Sequence, residues 1–393
     1  MVVYNDVTTS YVRKYYKINS DAQRANAEGW KRQRYFQEGN KLKQKIFALA
    51  MASAMIVSLF AGCGGSSGQN APTASGEAPA ASSGTQYDKV TLKLSCNGTD
   101  IANDTRMAKL FAEKVKEKSG GAVTVNVFPN DQLASGNMSK GLELLCDGTV
   151  DLDIHSTSII ANLDNRMMVS TLPWLFKDYQ SAEDAFFGKG GEFLNTVLSE
   201  KGLTYLGAVH NGFKAMTCGK HAIKSPEDLK GLKIRIPGGD FFSAFYTAFG
   251  ASPQAMSWGE VFTALQQGTI DGHDNSLSTI NSANVQEVQK YITISNHTYE
   301  AFTFTANTAK FEKLSAETQA LIRQCVEEAC KEMNQQIVAD EAGLKDKFIN
   351  ENGCEIYELT EDDVAKFKAV VQPLIDQYKE VYGADACTAF GVQ

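Results

Sequence analysis

The chain has 393 residues, of which 43% are hydrophobic, 10% aromatic and 21% charged. That is enough apolar material for one or two packed units and excludes wholesale disorder. The formal net charge of -8 is unevenly spread: residues 1–63 carry ten Lys/Arg against four Asp/Glu, so the remainder carries -14, a poor partner for nucleic acid or an anionic membrane surface.

Ile46 to Phe60 is an uncharged run, preceded by Lys41, Lys43 and Lys45 and followed by Ala61-Gly62-Cys63. A basic flank, a short apolar core and small residues before a cleavage point describe an export signal. The run is shorter than the ~20 residues a membrane span needs. The cysteine directly after Ala-Gly is the pattern of a bacterial lipoprotein, with lipid expected on Cys63. Residues 1–63 are therefore read as an upstream extension and a lipoprotein signal peptide. Residues 64–87, rich in Gly, Ser, Ala and Pro, are read as a flexible tether.

Seven further cysteines (Cys96, Cys146, Cys218, Cys325, Cys330, Cys354 and Cys387) stand at irregular spacing with no CxxC. Neither a disulfide framework nor a metal site is expected, and most should be small core residues. No cofactor is implied.

The exported body alternates strands and helices. Val90, Leu92 and Leu94 alternate with polar residues and predict a strand. Met107, Leu110, Phe111 and Val115 follow helical spacing, closed by Gly120-Gly121. Val123, Val125 and Val127 alternate again. A helix over Leu142 to Cys146 ends at Asp147-Gly148, and Val150, Leu152 and Ile154 predict the next strand. The pattern returns with Ile234 and Ile236 as a strand, helices over Phe241–Phe249 and Gly259–Gln267, and a strand starting at Thr269. Leu145-Cys146-Asp147-Gly148-Thr149-Val150-Asp151 and Leu265-Gln266-Gln267-Gly268-Thr269-Ile270-Asp271 share one grammar of helix end, glycine and strand start, 120 residues apart. Two related α/β lobes, each with a largely parallel sheet, are the economical expectation. Ligands of such sheets bind beyond the carboxyl ends of the strands, so two facing lobes make a cleft. Leu321, Cys325, Ala329, Met333 and Ile337 predict one long helix from about Ala316 to Phe348 that braces both lobes.

Arg235 stands on the face of its strand opposite Ile234 and Ile236, just before Pro237-Gly238-Gly239. A guanidinium there offers a planar fork matched to a carboxylate. Ser156 follows a strand of the first lobe and is a candidate donor. His155, His210 and His221 lack ligand spacing and are read as structural. Glu260 is read as a helix-start residue, and Trp174 as part of a core-like cluster. GxSxG, HExxH and glycine-rich phosphate loops are absent from the alternating α/β body, the one GxSxG match being Gly64-Gly65-Ser66-Ser67-Gly68 of the tether, and an enzyme would need such machinery.

Several stretches resemble the solute-binding proteins of tripartite ATP-independent periplasmic (TRAP) transporters. They are Asp228-Leu229-Lys230-Gly231-Leu232-Lys233-Ile234-Arg235-Ile236-Pro237, Gly250-Ala251-Ser252-Pro253, Trp258-Gly259-Glu260-Val261-Phe262-Thr263-Ala264-Leu265-Gln266, Asp271-Gly272-His273-Asp274-Asn275, and Val288-Gln289-Lys290-Tyr291 with Asn296-His297. The likeness runs from about Val90 to Tyr382. It implies a two-lobed α/β periplasmic-binding-protein-like fold with a ligand cleft and a long bridging helix. Lobe I would be 88–212 plus 301–340, and lobe II 213–300 plus 341–393. It also implies roles. Arg235 pairs with the ligand carboxylate, Asn275 helps hold the ligand, Trp258 packs against it, and Asn97 reaches it from the other lobe. Many members carry a second arginine after an Asn-Gly pair; here Lys214 stands there, after Asn211-Gly212-Phe213. His273 and Asp274 also depart from the usual Gln or Glu. The expected partners are a small organic acid (a hexuronate or other sugar acid, or a dicarboxylate), the membrane subunits of a TRAP permease, and the outer face of a membrane through the lipid. A monomer is expected, and no catalysis. A sensor module for a signalling receptor and a binding protein of an ATP-driven importer are the alternatives.

Overall fold

The computed structural model describes residues 86–392; the signal, Cys63 and nearly all of the tether lie outside the described residues. In chain order the elements are β1 (Val90–Cys96), α1 (Asn103–Lys118), β2 (Val123–Phe128), α2 (Met138–Cys146), β3 (Leu152–Ser156), α3 (Thr157–Ile160), α4 (Tyr179–Phe187), α5 (Lys189–Ser199), β4 (Leu203–Phe213), β5 (Ala215–Cys218), β6 (Lys233–Ile236) and α6 (Asp240–Ala248). There follow β7 (Ser252–Ala255), α7 (Trp258–Gln266), β8 (Gly272–Asn275), α8 (Leu277–Ser282), β9 (Tyr291–Ile294), β10 (Tyr299–Asn307), α9 (Thr308–Phe311), α10 (Ala316–Glu341), α11 (Leu344–Asn350), β11 (Glu355–Glu358), α12 (Glu361–Tyr382) and α13 (Ala384–Ala389).

The strands form two sheets, one per lobe. The first runs β2-β1-β3-β10-β4 and the second β11-β9-β5-β8-β6-β7. β1 is parallel to β2 and β3, and β6 is parallel to β7 and β8, as the alternating strand–helix grammar requires. β10 runs antiparallel to both β3 and β4. The long strands β4 and β10 carry the chain between lobes. Lys214 follows β4 and its backbone N–H donates to Thr298 O at 2.8 Å, so the two crossings are tied together where the lobes meet.

The repeated grammar is the same physical device in both lobes. Gly148 and Gly268 end their helices at φ +76° and +68°, a left-handed conformation that glycine adopts without steric cost. Three residues on, Asp151 and Asp271 each accept from a lysine backbone N–H, of Lys93 and Lys233, at 2.8 Å in both cases. Their own N–H groups donate back to Lys93 O and Lys233 O. Each aspartate thus sets the register of the strand that follows. This also delays the strand: the expected start at Thr269 falls instead at Gly272, because Asp271 spends its side chain on the neighbouring strand first.

A core of Leu94, Phe111, Phe304, Val326 and Ile337 lies between the first sheet and the helices α1 and α10. Phe111 and Phe304 meet edge to face at 5.0 Å, a favoured aromatic geometry. The brace expected over 316–348 is two helices. α10 ends at Glu341, the chain turns at Ala342-Gly343, and α11 follows. The break has a visible use: Glu341 turns inward, accepting from Tyr179 O–H of the first lobe and from the backbone N–H and hydroxyl of Ser278, in the second, at 3.1 and 2.7 Å. α10 still bridges, but its end is latched rather than continued. α12 packs on both α6 and the 3-10 turn at Asn165–Thr171, and α13 on α5. No helix among the described residues is long and apolar enough to cross a membrane.

Candidate functional site

Arg235, Asn275, Trp258, Lys214, Asn97 and Ser156, far apart in sequence, all line one cavity between the lobes. It is narrow, with a volume of about 30 Å³. An adjoining chamber of about 260 Å³ shares Asn97 and Trp258 and adds Thr99, Asp131, Phe262 and Asn284. Across its mouth the Thr99 hydroxyl donates to Ser282 O at 3.3 Å, so the lobes touch.

Arg235 sits at the carboxyl end of β6, beside His273 of β8. Ile234 and Ile236 fill the core on one face, and Arg235 is buried on the other, only 3% exposed. Its Nε and Nη2 donate to Met256 O at 3.1 and 2.9 Å, and its guanidinium lies 5.4 Å from the centre of the Trp258 ring. One edge of the fork is therefore anchored and one face is covered by an aromatic ring. The outer edge, Nη1 with the second hydrogen of Nη2, meets no protein acceptor among the described residues. Burial lowers the Arg235 pKa to about 10, which leaves it charged at neutral pH.

Lys214 is not a surface residue. It is 2% exposed, its Nζ lying 3.1 Å from Glu300 and 3.5 Å from Asp274 and 4.6 Å from the centre of the Phe242 ring. Burial alone would lower its pKa; Asp274 and Glu300 outweigh burial and raise it. Asp274 also accepts from Tyr246 O–H at 2.7 Å and lies 3.1 Å from His297 Nε2. Burial opposes its charge, but Lys214, His297 and Tyr246 hold the carboxyl well below the usual range. Lys214 is thus a charge already matched by two carboxylates.

The two asparagines are oriented by opposite rules. Asn275 Oδ1 accepts from the backbone N–H of Ser276 at 3.1 Å; a backbone N–H only donates, so the amide nitrogen is left for the cavity. Asn97 Nδ2 donates to Asp131 Oδ2 at 2.7 Å; a carboxylate only accepts, so Asn97 Oδ1 is the free end. Asp131 is itself fixed by His155 Nε2 at 2.8 Å, and His155 Nδ1 meets Asp153. Burial would discharge His155, but Asp153 and Asp131 outweigh it and push its pKa well above the ordinary value. The histidine read as structural is therefore a charged bolt between two carboxylates, one of which aims a cavity residue.

Ser156 contacts Ser158 through their hydroxyls at 3.0 Å. Sequence reasoning missed Glu300, Ser158 and Asn211, all of which line the cavity. Glu300 accepts from the Ser158 backbone N–H at 2.9 Å, and Asn211 Oδ1 accepts from the Thr279 hydroxyl at 2.9 Å. A signal for Glu300 exists: it is the only charged residue between Lys290 and Lys310. His273 is neutral, its pKa pushed down to about 3 by burial, and packs on Trp258. Glu260 closes a capping box with Ser257. Trp174 lines a separate surface groove. The cysteines of the body are free, five of them buried.

Two α/β lobes hinged by paired crossings, with an anchored arginine aimed into a cleft between them, define a solute-binding protein. The sequence profile of the bacterial extracellular solute-binding proteins, family 7, matches residues 98–381, and the chain belongs to that family. It is 32% identical over 249 residues to the 2,3-diketo-L-gulonate-binding periplasmic protein of Escherichia coli, covering 63% of this chain and 75% of that one. A TRAP periplasmic solute-binding protein of Shewanella oneidensis, solved with succinate, is 30% identical with a TM-score of 0.73, covering 77% of this chain and 98% of that one. A sugar acid binding protein of Advenella mimigardefordensis, solved with galactonate, is 28% identical with a TM-score of 0.73, covering 78% and 98%. The fold expected from the TRAP resemblance is the fold observed.

Proposed function

We propose that this protein captures a small organic acid, a sugar acid such as a hexuronate or a dicarboxylate, outside the cytoplasmic membrane and delivers it to a TRAP permease, without catalysis. The observation that carries this reading is the outer edge of Arg235: one side of a buried, charged fork that meets no acceptor among the described residues and faces a cleft. A carboxylate accepts two parallel hydrogen bonds from such an edge. The names of the relatives above support the ligand class. Asn275 adds an amide donor beside the fork, Trp258 a wall, and Asn97 and Ser156 contacts from the opposite lobe. Hinge closure about the paired crossings excludes water from the pair, and the closed surface is what a permease distinguishes from the open one. Lipid on Cys63 and the tether of residues 64–87 keep the monomeric body at the membrane face.

The test starts with a thermal-shift panel of organic acids on the full chain, since a ligand that binds only the folded state raises its melting point. Calorimetry with the best acid then compares wild type with Arg235→Ala. Loss of the fork should cost several kcal/mol, because the ligand carboxylate is buried without its partner. Arg235→Lys should also weaken binding, since a point charge replaces the fork. Near-wild-type affinity in Arg235→Ala refutes the assignment.

A further inference from the structure

The charges of the cleft are nearly balanced before any ligand arrives. Lys214 and Arg235 bring two positive charges; Asp274 and Glu300 bring two negative ones. Both carboxylates lie within 3.5 Å of Lys214, so Arg235 is the cation left for a ligand. One carboxylate can be placed on it. A second would meet no uncommitted cation among the residues lining the cleft and would be buried at high cost.

The hydrogen-bonding polarity of the walls points the same way. On the second lobe, Arg235 and the Asn275 amide nitrogen are donors. On the first, Asn97 presents its oxygen because Asp131 holds its nitrogen, while the two Glu300 oxygens are taken by Lys214 and the Ser158 backbone N–H. Acceptors facing a ligand call for donors on it, and hydroxyl groups are donors where carboxylates are not. The shape agrees. The space at Arg235 is about 30 Å³, room for a carboxylate-sized group, while the adjoining 260 Å³ chamber continues along Asn97, Thr99, Asp131 and Asn284. A ligand anchored at Arg235 extends along a polar, acidic-edged wall.

We infer that the ligand is a monocarboxylate bearing several hydroxyl groups, a sugar acid, and that Asn97, which lines both spaces, selects it against C4-dicarboxylates by meeting the ligand beyond its carboxylate with an acceptor. This rests on the acid-binding reading above and narrows it. Asp131 and His155 act as positioning residues for Asn97.

The experiment is calorimetry of the full chain at fixed ionic strength against D-galactonate and D-glucuronate on one side and succinate and fumarate on the other. At least one sugar acid should bind ten-fold or more tightly than either dicarboxylate. Asn97→Ala, which removes the facing acceptor, should shift the ratio at least ten-fold toward succinate; if that variant fails to fold, the wild-type panel alone decides. Succinate binding as tightly as both sugar acids overturns this inference and leaves the acid reading standing. Failure of all four to bind overturns the acid reading and this inference with it.

Discussion

Lys214→Met removes a buried positive charge and keeps most of the side chain's volume. In the wild type, Nζ lies 3.1 Å from Glu300 and 3.5 Å from Asp274, and the residue is 2% exposed. Removing one partner of a buried ionic network strands the others, at about 3–5 kcal/mol. A body of this size loses about 2–4 °C of Tm per kcal/mol, so a fall of about 6–20 °C is expected in thermal unfolding followed by circular dichroism. A surface lysine would cost about 0.5 kcal/mol or less. The loss should also depend on pH. The Asp274 pKa is depressed in the folded state. Its stabilising share is therefore present above the unfolded value, near 3.8, and is lost as pH falls through the folded pKa. Without Lys214, the stranded Asp274 takes up a proton more readily, so the gap between variant and wild type should narrow below about pH 4. Adding Glu300→Gln to Lys214→Met removes one stranded charge and should recover part of the loss, a coupling of about 1–2 kcal/mol. A loss below about 1 kcal/mol with no recovery in the double variant would refute the description of Lys214 as the centre of a buried network.

Asp104, fully buried at the start of α1, has its pKa raised by burial from 3.8 to about 6, against the hydrogen bond it accepts from the Gly98 backbone N–H at 2.6 Å. The folded state then holds a proton that the unfolded chain has released, so this group's contribution to stability falls as pH rises from about 4 to 6, by about 3 kcal/mol in all. Asp104→Asn should flatten that part of the curve in urea unfolding from pH 4 to 7; parallel curves for the two proteins would dismiss it. For the anchor, Cys63→Ser should move the protein from the membrane fraction to the soluble one. A wild-type protein already soluble on fractionation counts against lipid at Cys63.

Local rules made part of the site legible in the sequence. Arg235 was readable because alternation with Ile234 and Ile236 assigns it to the opposite face of a short strand. The aspartates at 151 and 271 were readable as part of a helix-end grammar, although their capture of the Lys93 and Lys233 N–H groups, which moves the second strand start to Gly272, was not. The long brace was readable by periodicity, but its break at Ala342-Gly343 depends on Tyr179 and Ser278 claiming Glu341. Lys214 was readable as a position and not as a role, since Asp274 and Glu300 lie 60 and 86 residues away and only the folded crossings bring them together.

The two asparagines show where this limit falls. Asn275 takes its orientation from the N–H of the next residue, Ser276, so the nitrogen facing the cleft follows from a strand-to-helix turn that the sequence displays. Asn97 takes its orientation from Asp131, 34 residues on, which depends in turn on His155 and Asp153 across the sheet. Which atom of Asn97 faces the ligand is therefore a property of the folded lobe. Reversing it would set an amide oxygen against a carboxylate oxygen, two acceptors at hydrogen-bond distance with no proton between them. The end of the cleft proposed to anchor a carboxylate is written locally around β6 and β8, and the end proposed to sort one acid from another is written in contacts between distant segments of the first lobe.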